Sequence, residues 1–346
     1  MIGVAVGAMA LVVVLSAFNG LEDLVRSFYD RFDPDLKVLP LEGKRFLLEE
    51  EKLEELRMQP GVLAVAPVLE EKVFLRYGES ESVAMLKGVD SVFNEVSGVK
   101  QNLRVGRFDP SKTEIVMGIG LAYRLGVYLS EAGRPIQVFV PKKGIPRPGE
   151  WQNAYRNERL RPGGVFSIQP DFDDVYAFAP LPFVRELLEA EAFCSSLELA
   201  IDGNAKTVKQ QLQAVMGDEF RVLDRNEQQE TVFKVLKSEG LMTYLILSLT
   251  LGIACFTILG AIAISLVEKR RDIFSLWTMG MSKWQIRQLF FRRGMQITLL
   301  GGTLGIALGS ILVWLQGKYG LIRLGAGYAV DAYPVRLALE DLLLVA

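Results

Sequence analysis

The sequence predicts a membrane α-helical protein that also carries one large α+β domain outside the bilayer. Three observations predict it. Leu241 to Val267 runs 27 residues without a charge, and Gly294 to Gln316 runs 23. The segment between these stretches is strongly basic. A long preceding segment is instead rich in charge and in short strand-like runs. The average composition reflects the mixture: 50% of the 346 residues are hydrophobic, yet 23% are charged. A hydrocarbon core about 30 Å thick is crossed by roughly 20 apolar helical residues, so both charge-free stretches suffice. A buried core helix seldom runs so long without a charge.

The first spanning helix is expected at residues 1–18. Met1 to Phe18 is uncharged and rich in Val, Ala and Leu. A signal peptide would need a basic start and a small-residue cleavage site. No Lys or Arg precedes Arg26, and Leu15-Ser16-Ala17 matches such a site poorly. The second and third helices are expected at 241–267 and 294–316. Residues 337–346 turn apolar again (Leu342, Leu343, Leu344, Val345) and read as the start of a fourth, truncated helix.

Basic residues in short loops mark the cytoplasmic side. Residues 268–293 carry Lys269, Arg270, Arg271, Lys283, Arg287, Arg292 and Arg293 against Glu268 and Asp272. Residues 19–240 are therefore expected on the opposite side, as is the loop 317–336. The 19–240 segment holds 29 basic and 36 acidic residues, a net charge of −7.

Within 19–240 the patterning is α+β. Leu36–Leu39 reads as a strand, Glu49–Arg57 as a helix, and Val62–Val68 as a strand after the Pro60-Gly61 turn. Lys72–Tyr77 and Val83–Gly88 read as hairpin-like strands. The order recurs with strand Ser196–Ile201, an Asp202-Gly203 turn, helix Ala205–Met216 and strand Phe220–Leu223. Two such units can share one sheet. Residues of about 90–192 are expected to form a second, inserted lobe. It should contain strand Glu114–Met117, helix Leu121–Gly126, and strands Ile136–Val140 and Val175–Ala179. Pro141–Gln169 is left as a connection of nearly 30 residues. That length marks a loop as functional or mobile. Its prolines stiffen it, and Trp151 and Tyr155 are of the type that anchors interfaces. Residues 225–240 read as a continuous helical stalk leading into the second spanning helix.

In the basic loop, Gly280 fits a helix stop and Ser282 a helix start. A short helix from Lys283 would place Ile286, Leu289 and Phe290 on one face and Lys283 and Arg287 on another. Such a helix either lies at the lipid interface or docks into a groove on a cytoplasmic partner, and amphipathicity alone favours the interface. Gly301, Gly305 and Gly309 form a doubled G-x-x-x-G, and Gly3 and Gly7 a single one, which is a close-packing signal. With no histidine, the commonest metal ligand and general base is missing. No H-E-x-x-H, G-x-S-x-G or Walker loop occurs, and Cys194 and Cys255 are not expected to pair. The spanning stretches carry no ionisable Asp, Glu, Lys or Arg, which disfavours a secondary transporter.

The chain resembles the MacB/FtsX-like permeases of ABC systems, and most closely the transmembrane subunits of the lipoprotein-releasing system, the LolC/LolE type. The residues that carry the resemblance begin with Val12-Val-Val-Leu-Ser-Ala-Phe-Asn-Gly-Leu-Glu22, Pro60-Gly-Val-Leu-Ala-Val-Ala-Pro67, and Glu114-Ile-Val-Met-Gly118 with Leu125-Gly126. They continue with Glu268-Lys-Arg-Arg-Asp-Ile273, the run from Thr278-Met-Gly280 through Gly301-Gly-Thr-Leu-Gly305, and Tyr333-Pro-Val335. The resemblance implies a four-helix permease with a two-lobed periplasmic domain, multi-pass in the bacterial inner membrane. It implies a non-catalytic subunit, with ATP and Mg bound by a partner ATPase and no cofactor on this chain. That cytoplasmic ABC ATPase would grip the coupling segment of Gly280, Ser282, Lys283, Trp284, Ile286, Arg287 and Leu289. A second membrane subunit, identical or paralogous, would pair with this one. Lipoprotein cargo would pass to a periplasmic lipoprotein carrier. A hook at Pro141–Arg159, with Pro146, Pro148, Trp151 and Tyr155, would meet the carrier. Phe18, Leu21 and Leu241 would line a portal for acyl chains. No nucleic acid is expected. An efflux or mechanotransmitting permease with other cargo, and a membrane-anchored receptor without an ATPase, are the alternatives.

Overall fold

The computed structural model describes residues 2–110, 112–127, 134–142, 155–323 and 332–345. They form two compact units, residues 26–230 and residues 1–25 with 231–346. In chain order the elements are α1 (Ile2–Phe32), β1 (Leu36–Pro40), β2 (Phe46–Leu47), α2 (Glu50–Arg57), β3 (Val62–Tyr77), β4 (Ser80–Val89), α3 (Phe93–Val96), β5 (Leu103–Gly106), β6 (Glu114–Gly118), α4 (Ile119–Leu125), β7 (Ile136–Pro141) and β8 (Tyr155–Phe166). Next come α5 (Pro170–Asp173), β9 (Tyr176–Pro180), α6 (Leu181–Leu187), β10 (Phe193–Cys194), β11 (Ser196–Ile201), α7 (Ala205–Met216) and β12 (Phe220–Asp224). The chain continues with α8 (Arg225–Gln228), α9 (Glu230–Glu268), α10 (Arg270–Thr278), α11 (Lys283–Tyr319) and α12 (Leu339–Val345).

Unit 26–230 is built on one sheet. Its first part has the order β12-β1-β11-β3, in which the two strand–helix–strand units interleave. Alternation along the strands explains its two faces. Leu36 and Val38 of β1, and Leu197 and Leu199 of β11, point to one side. They form a core with Leu53 and Leu56 of α2 and Val208, Leu212 and Met216 of α7. Lys37 and Glu198 necessarily point to the other side.

The second part closes on itself. β3 pairs β4, β4 pairs β9, β9 pairs β6, β6 pairs β8, β8 pairs β7, and β7 returns to β3 at Phe74–Arg76. This six-stranded ring encloses Leu69, Val73, Leu75, Leu86, Ile115, Met117, Ile136 and Val138, with Leu121 and Leu125 of α4 and Val184 and Leu187 of α6 closing the core. The expected separate strands Val62–Val68 and Lys72–Tyr77 are one 16-residue strand, β3. It serves both cores, so the ring draws on Leu69 to Leu86, upstream of residue 90. Residues 155–166 are a strand rather than part of a 30-residue connection. Its sequence, Tyr-Arg-Asn-Glu-Arg-Leu-Arg-Pro-Gly-Gly-Val-Phe, includes Asn, Glu, Pro and two Gly, all poor strand formers, and it is held by β7 along Tyr155–Leu160 and by β6 along Arg161–Phe166.

In unit 1–25 with 231–346, α1, α9 and α11 are long and apolar enough to cross a membrane. Gly301, Gly305 and Gly309 all face inward on α11. A Cβ on Gly305 would collide with the Ala5 carbonyl and lie 2.7 Å from the Ala8 methyl; one on Gly309 would lie 3.0 Å from Val12 Cβ. The G-x-x-x-G stripe of α11 therefore seats α1, as expected of small residues. Gly3 and Gly7 have nothing within 4 Å of their Cβ positions, so α1 contributes Ala5, Ala8 and Val12 to that contact instead. The Tyr333-Pro-Val335 segment also lies on α1. Arg336 N–H donates to Ser16 O at 2.8 Å, and Gly20 has no room for a Cβ beneath Pro334. Buried Gln316 fixes that segment, donating to Ile322 O and Tyr333 O at 3.0 Å and accepting from Ile322 N–H at 2.8 Å.

Helix lengths differ from expectation. α1 does not stop at residue 18 but continues to Phe32, its second half carrying Glu22, Asp23, Arg26, Asp30 and Arg31. The stalk is not continuous. Gln229, at φ −115° and ψ 39°, separates α8 from α9, and α9 then runs 39 residues without a break.

Candidate functional site

The turn between α10 and α11 is defined by its caps. Gly280 adopts φ +94°, a conformation that side chains disfavour, while the Met281 N–H reaches back to Leu276 O at 3.1 Å. Ser282 and Gln285 then form a reciprocal capping box. Ser282 Oγ accepts from the Gln285 N–H at 3.3 Å, and Gln285 Oε1 accepts from the Ser282 N–H at 2.9 Å. Lys283 does not open a separate short helix. It opens α11, which runs 37 residues into the apolar stretch. Nothing between Lys283 and Tyr319 breaks it: no proline interrupts the run, and Gly301, Gly305 and Gly309 are buried.

Lys283, Trp284, Arg287 and Leu289 are exposed, and Ile286 is half-buried. Phe274 and Trp277 of α10 meet edge to face at 6.2 Å and stay exposed. A groove of about 770 Å³ runs between the helices, lined by Arg270, Arg271, Ile273, Phe274, Trp277, Lys283 and Ile286. Of the expected coupling residues the structure brings Lys283 and Ile286 to this groove, together with α10 residues that sequence reasoning did not name. The signal was present in Ile273-Phe274-Ser275-Leu276-Trp277, which cannot bury every apolar residue on so short a helix. Its chemistry is that of a docking surface: apolar rings surrounded by cations. Among the described residues no group of His, Cys, Asp and Glu is arranged to hold a metal ion.

Of the expected portal residues, Phe18 lies beside the start of the apolar stretch of α9. A Cβ on Gly240 would be 3.2 Å from the Phe18 ring. Leu241 follows it and is 59% exposed; Leu21 is half-buried one turn further along α1. Of the expected hook residues, Pro146, Pro148 and Trp151 lie outside the described residues. Tyr155 opens β8 opposite Pro141. It rims a groove of about 540 Å³ with Phe74, Arg76 and Phe139, the Arg76 guanidinium resting 5.0 Å over the Phe139 ring.

A further cluster was not anticipated. Four charged residues lie in a row across β1, β11, β3 and β4. Lys37 is in register with Glu198, and Glu70 with Lys87. Lys87 Nζ is 2.7 Å from Glu198 and 3.5 Å from Glu70; Lys37 Nζ is 3.4 Å and 3.5 Å from the same two carboxylates. Lys87 and Glu198 are fully buried. Neither Glu198 oxygen makes a hydrogen bond of regular geometry, so this carboxylate is held by charge alone. Burial opposes ionisation of Lys37 and Glu70. The facing charges override it, holding the ammonium above its usual range and the carboxyl below. Lys87 Nζ also lies over the rings of Phe32 and Phe93, 5.4 and 5.1 Å from their centroids.

Phe32 is the last residue of α1 and stacks on Phe172 at 3.9 Å. Immediately after it, buried Asp33 accepts from Gln229 Nε2 at 3.0 Å, and Gln228 Nε2 donates to Pro34 O at 3.1 Å. Arg225 pairs with Asp30 and Asp35, each at 2.9 Å. The end of α1 and the lead into α9 are thus clasped together on the charged face of the sheet. The signal in sequence was a lysine or glutamate inside each apolar strand: Leu-Lys-Val-Leu, Leu-Glu-Leu-Ala, Met-Leu-Lys-Gly.

Comparison with known proteins identifies this architecture. The family described as MacB-like periplasmic core domain matches residues 1–217, well over half of the chain. The chain belongs to the MacB-like periplasmic core domain family. Residues 244–333 match a second family, the FtsX-like permease C-terminal region. Two relatives are named as transmembrane proteins of the lipoprotein-releasing system. LolC of Neisseria meningitidis is 26% identical over 91% of this chain and 76% of its own length. LolE of Haemophilus influenzae is 24% identical over 99% of this chain and 86% of its own. The macrolide export ATP-binding/permease protein MacB of Psychrobacter arcticus is 23% identical over 76% of this chain and 39% of its own length. The first match spans α1 through α7, with the ring and every strand of the sheet except β12; β12 and the clasp residues Arg225, Gln228 and Gln229 follow it, and the FtsX-like match covers α10, α11 and most of α9.

Proposed function

We propose that this MacB-like chain is a membrane subunit of an ABC transporter that takes lipoproteins out of the bacterial inner membrane and passes them to a periplasmic carrier. ATP, with Mg, is hydrolysed on a separate cytoplasmic subunit. The observation that supports this most directly is the exposed aromatic and basic surface at the α10–α11 turn, rigidly capped and continuous with a spanning-length helix. It belongs to a chain similar over nine-tenths of its length to both LolC and LolE. Burying each CH₂ of an acyl chain is worth about 0.8 kcal/mol, so drawing several chains from a bilayer needs an external source of work.

In this reading the ATPase grips the coupling segment from Gly280 to Leu289 and moves α11 as a rod. The basic segment faces the cytoplasm, the core domain faces the periplasm, and α12 begins the fourth helix of the permease pattern. A second membrane subunit completes the pathway. Phe18, Leu21 and Leu241 line the acyl-chain portal, and the connection between β7 and β8, with Tyr155, meets the carrier. The similarity to MacB favours a second reading, export of a different cargo by the same motion.

Co-purification tests the common part. An ATPase subunit that stays with the wild-type chain is lost with Trp284→Glu or Ile286→Asp; persistent binding in both variants removes the coupling assignment. Photocrosslinking at Phe18 or Leu21 tests the cargo. Acylated protein in the adduct supports lipoprotein release, and small molecules alone favour the MacB-like reading.

A further inference from the structure

The α1, α9 and α11 helices line a second, half-open cavity of about 210 Å³, separate from the α10–α11 groove. Its walls are apolar: Val4 of α1, Ile258 and Ile262 of α9, and Phe290 and Ile297 of α11. Its charged member is Arg293, with Ser265 also at the wall. Among the described residues Arg293 has no carboxylate within ion-pair distance.

The position of these groups along the helices is informative. Arg293 immediately precedes the charge-free stretch of α11, and Ser265 lies three residues before the charged end of α9. Both stand at the level where hydrocarbon gives way to headgroups. Thr257, at the other end of the cavity, is eight residues from Ser265, or roughly 12 Å deeper along the helix. Its hydroxyl donates to Ile253 O at 2.9 Å, so the deep end offers no free donor. Gly294 keeps the wall thin just below Arg293, because a Cβ there would lie 3.3 Å from Ile262 Cδ1. The cavity is therefore an apolar slot running inward from an unpaired cation at the interface.

The geometry points to a binding site for one anionic phospholipid, its phosphate on Arg293 and one acyl chain along Ile258, Ile262 and Ile297. The match is in charge and in direction. A basic pocket between helices at the membrane face suits an anionic headgroup, and an apolar slot at right angles to that face suits a chain. A peptide helix would require hydrogen-bonding walls only at its ends but far more width, and a soluble anion would leave the apolar slot unfilled. The site is distinct from the portal at Phe18, Leu21 and Leu241, which lies at the other end of the charge-free stretches of α1 and α9. It does not depend on which cargo is moved.

The test is native mass spectrometry of the full chain, released from nanodiscs of mixed phosphatidylethanolamine and phosphatidylglycerol. The wild type retains phosphatidylglycerol in preference to phosphatidylethanolamine. Arg293→Ala lowers that retention about fivefold, the equivalent of about 1 kcal/mol for one basic residue at a membrane surface. Arg293→Lys restores most of it, and Arg292→Ala, outside the slot, leaves it unchanged. A second variant leaves the cation in place: Ile258→Trp fills the slot and expels the lipid. Benzophenone at Ile297 in cells yields a glycerophospholipid adduct. Equal retention by wild type and Arg293→Ala overturns the proposal, as does an adduct formed with peptide from this chain or from a partner subunit.

Discussion

Asp33 is the residue at which chemistry and architecture meet. Burial raises its carboxyl to about 6 from an ordinary 3.8, although the Gln229 amide and the ammonium groups of Lys37 and Lys87 pull the other way. Between those two values the folded chain holds a proton that the unfolded chain releases. The stabilisation from this group is complete below pH 4 and is lost as pH rises through 6. Asp33→Asn, which keeps a side chain able to pair with Gln229, should remove that slope and stabilise the domain by about 3 kcal/mol at pH 8, with little gain at pH 4. Urea unfolding of the core domain at the two pH values measures it; parallel gains at both pH values would count against burial as the cause. The Lys87–Glu198 pair behaves differently, because its partners are complementary. Lys87→Met leaves a fully buried carboxylate short of its nearest cation and should cost about 3–5 kcal/mol, whereas Lys87→Met with Glu198→Leu should recover most of it. A double variant as unstable as the single one would show that packing, not charge, is at stake. None of this row was legible as a site. Each of its residues reads singly as a charge in a strand, and only the register of four strands distant in sequence brings them together.

At the scale of the element, α11 joins functions that the sequence suggests are separate. Gly280 and Ser282 are legible as a stop and a start, and both act so. The end of the short helix is not legible, because amphipathicity fades gradually from Phe290 into the apolar stretch with no glycine cap or proline to mark a boundary. The glycine stripe is half legible: the spacing of Gly301, Gly305 and Gly309 finds a packed face, while the same spacing in Gly3 and Gly7 finds none. Small-residue spacing reports only the possibility of close approach, and the partner surface decides. A disulfide test follows. Val12→Cys with Gly309→Cys places two Cβ atoms 3.0 Å apart, inside the roughly 3.5–4.5 Å of a disulfide, so a small outward shift of the two helices brings the sulfurs into bonding range. It should crosslink α1 to α11 on mild oxidation, while Gly3→Cys with Gly309→Cys should not. Crosslinking of the second pair and not the first would put α1 in another register.

At the scale of the whole molecule, the division into an α+β domain and apolar helices was readable from charge alone, since 241–267 and 294–316 are as empty of charge as 19–240 is full of it. The interleaved strand–helix–strand units were readable from turns such as Pro60-Gly61 and Asp202-Gly203. The ring was not, because β8 is polar and contains Pro162, Gly163 and Gly164; its pairing depends on β6 and β7, which supply the order that its own residues do not. Residues 26–230, with both cores and the clasp inside them, should fold without detergent and melt in one cooperative step followed by circular dichroism; two separated steps would mean that the cores are independent. The return of β7 to β3 has a mechanical consequence. In an open sheet, tension on a terminal hairpin peels rungs away one after another. Here β7 pairs β3 over Gln137–Phe139 as well as β8, and β8 pairs β7 over Tyr155–Leu160 and β6 over Arg161–Phe166, so a pull along the strands on the segment that joins them loads the ladders to β3 and β6 in shear. A handle mounted there can bear tension without unravelling the lobe that carries it.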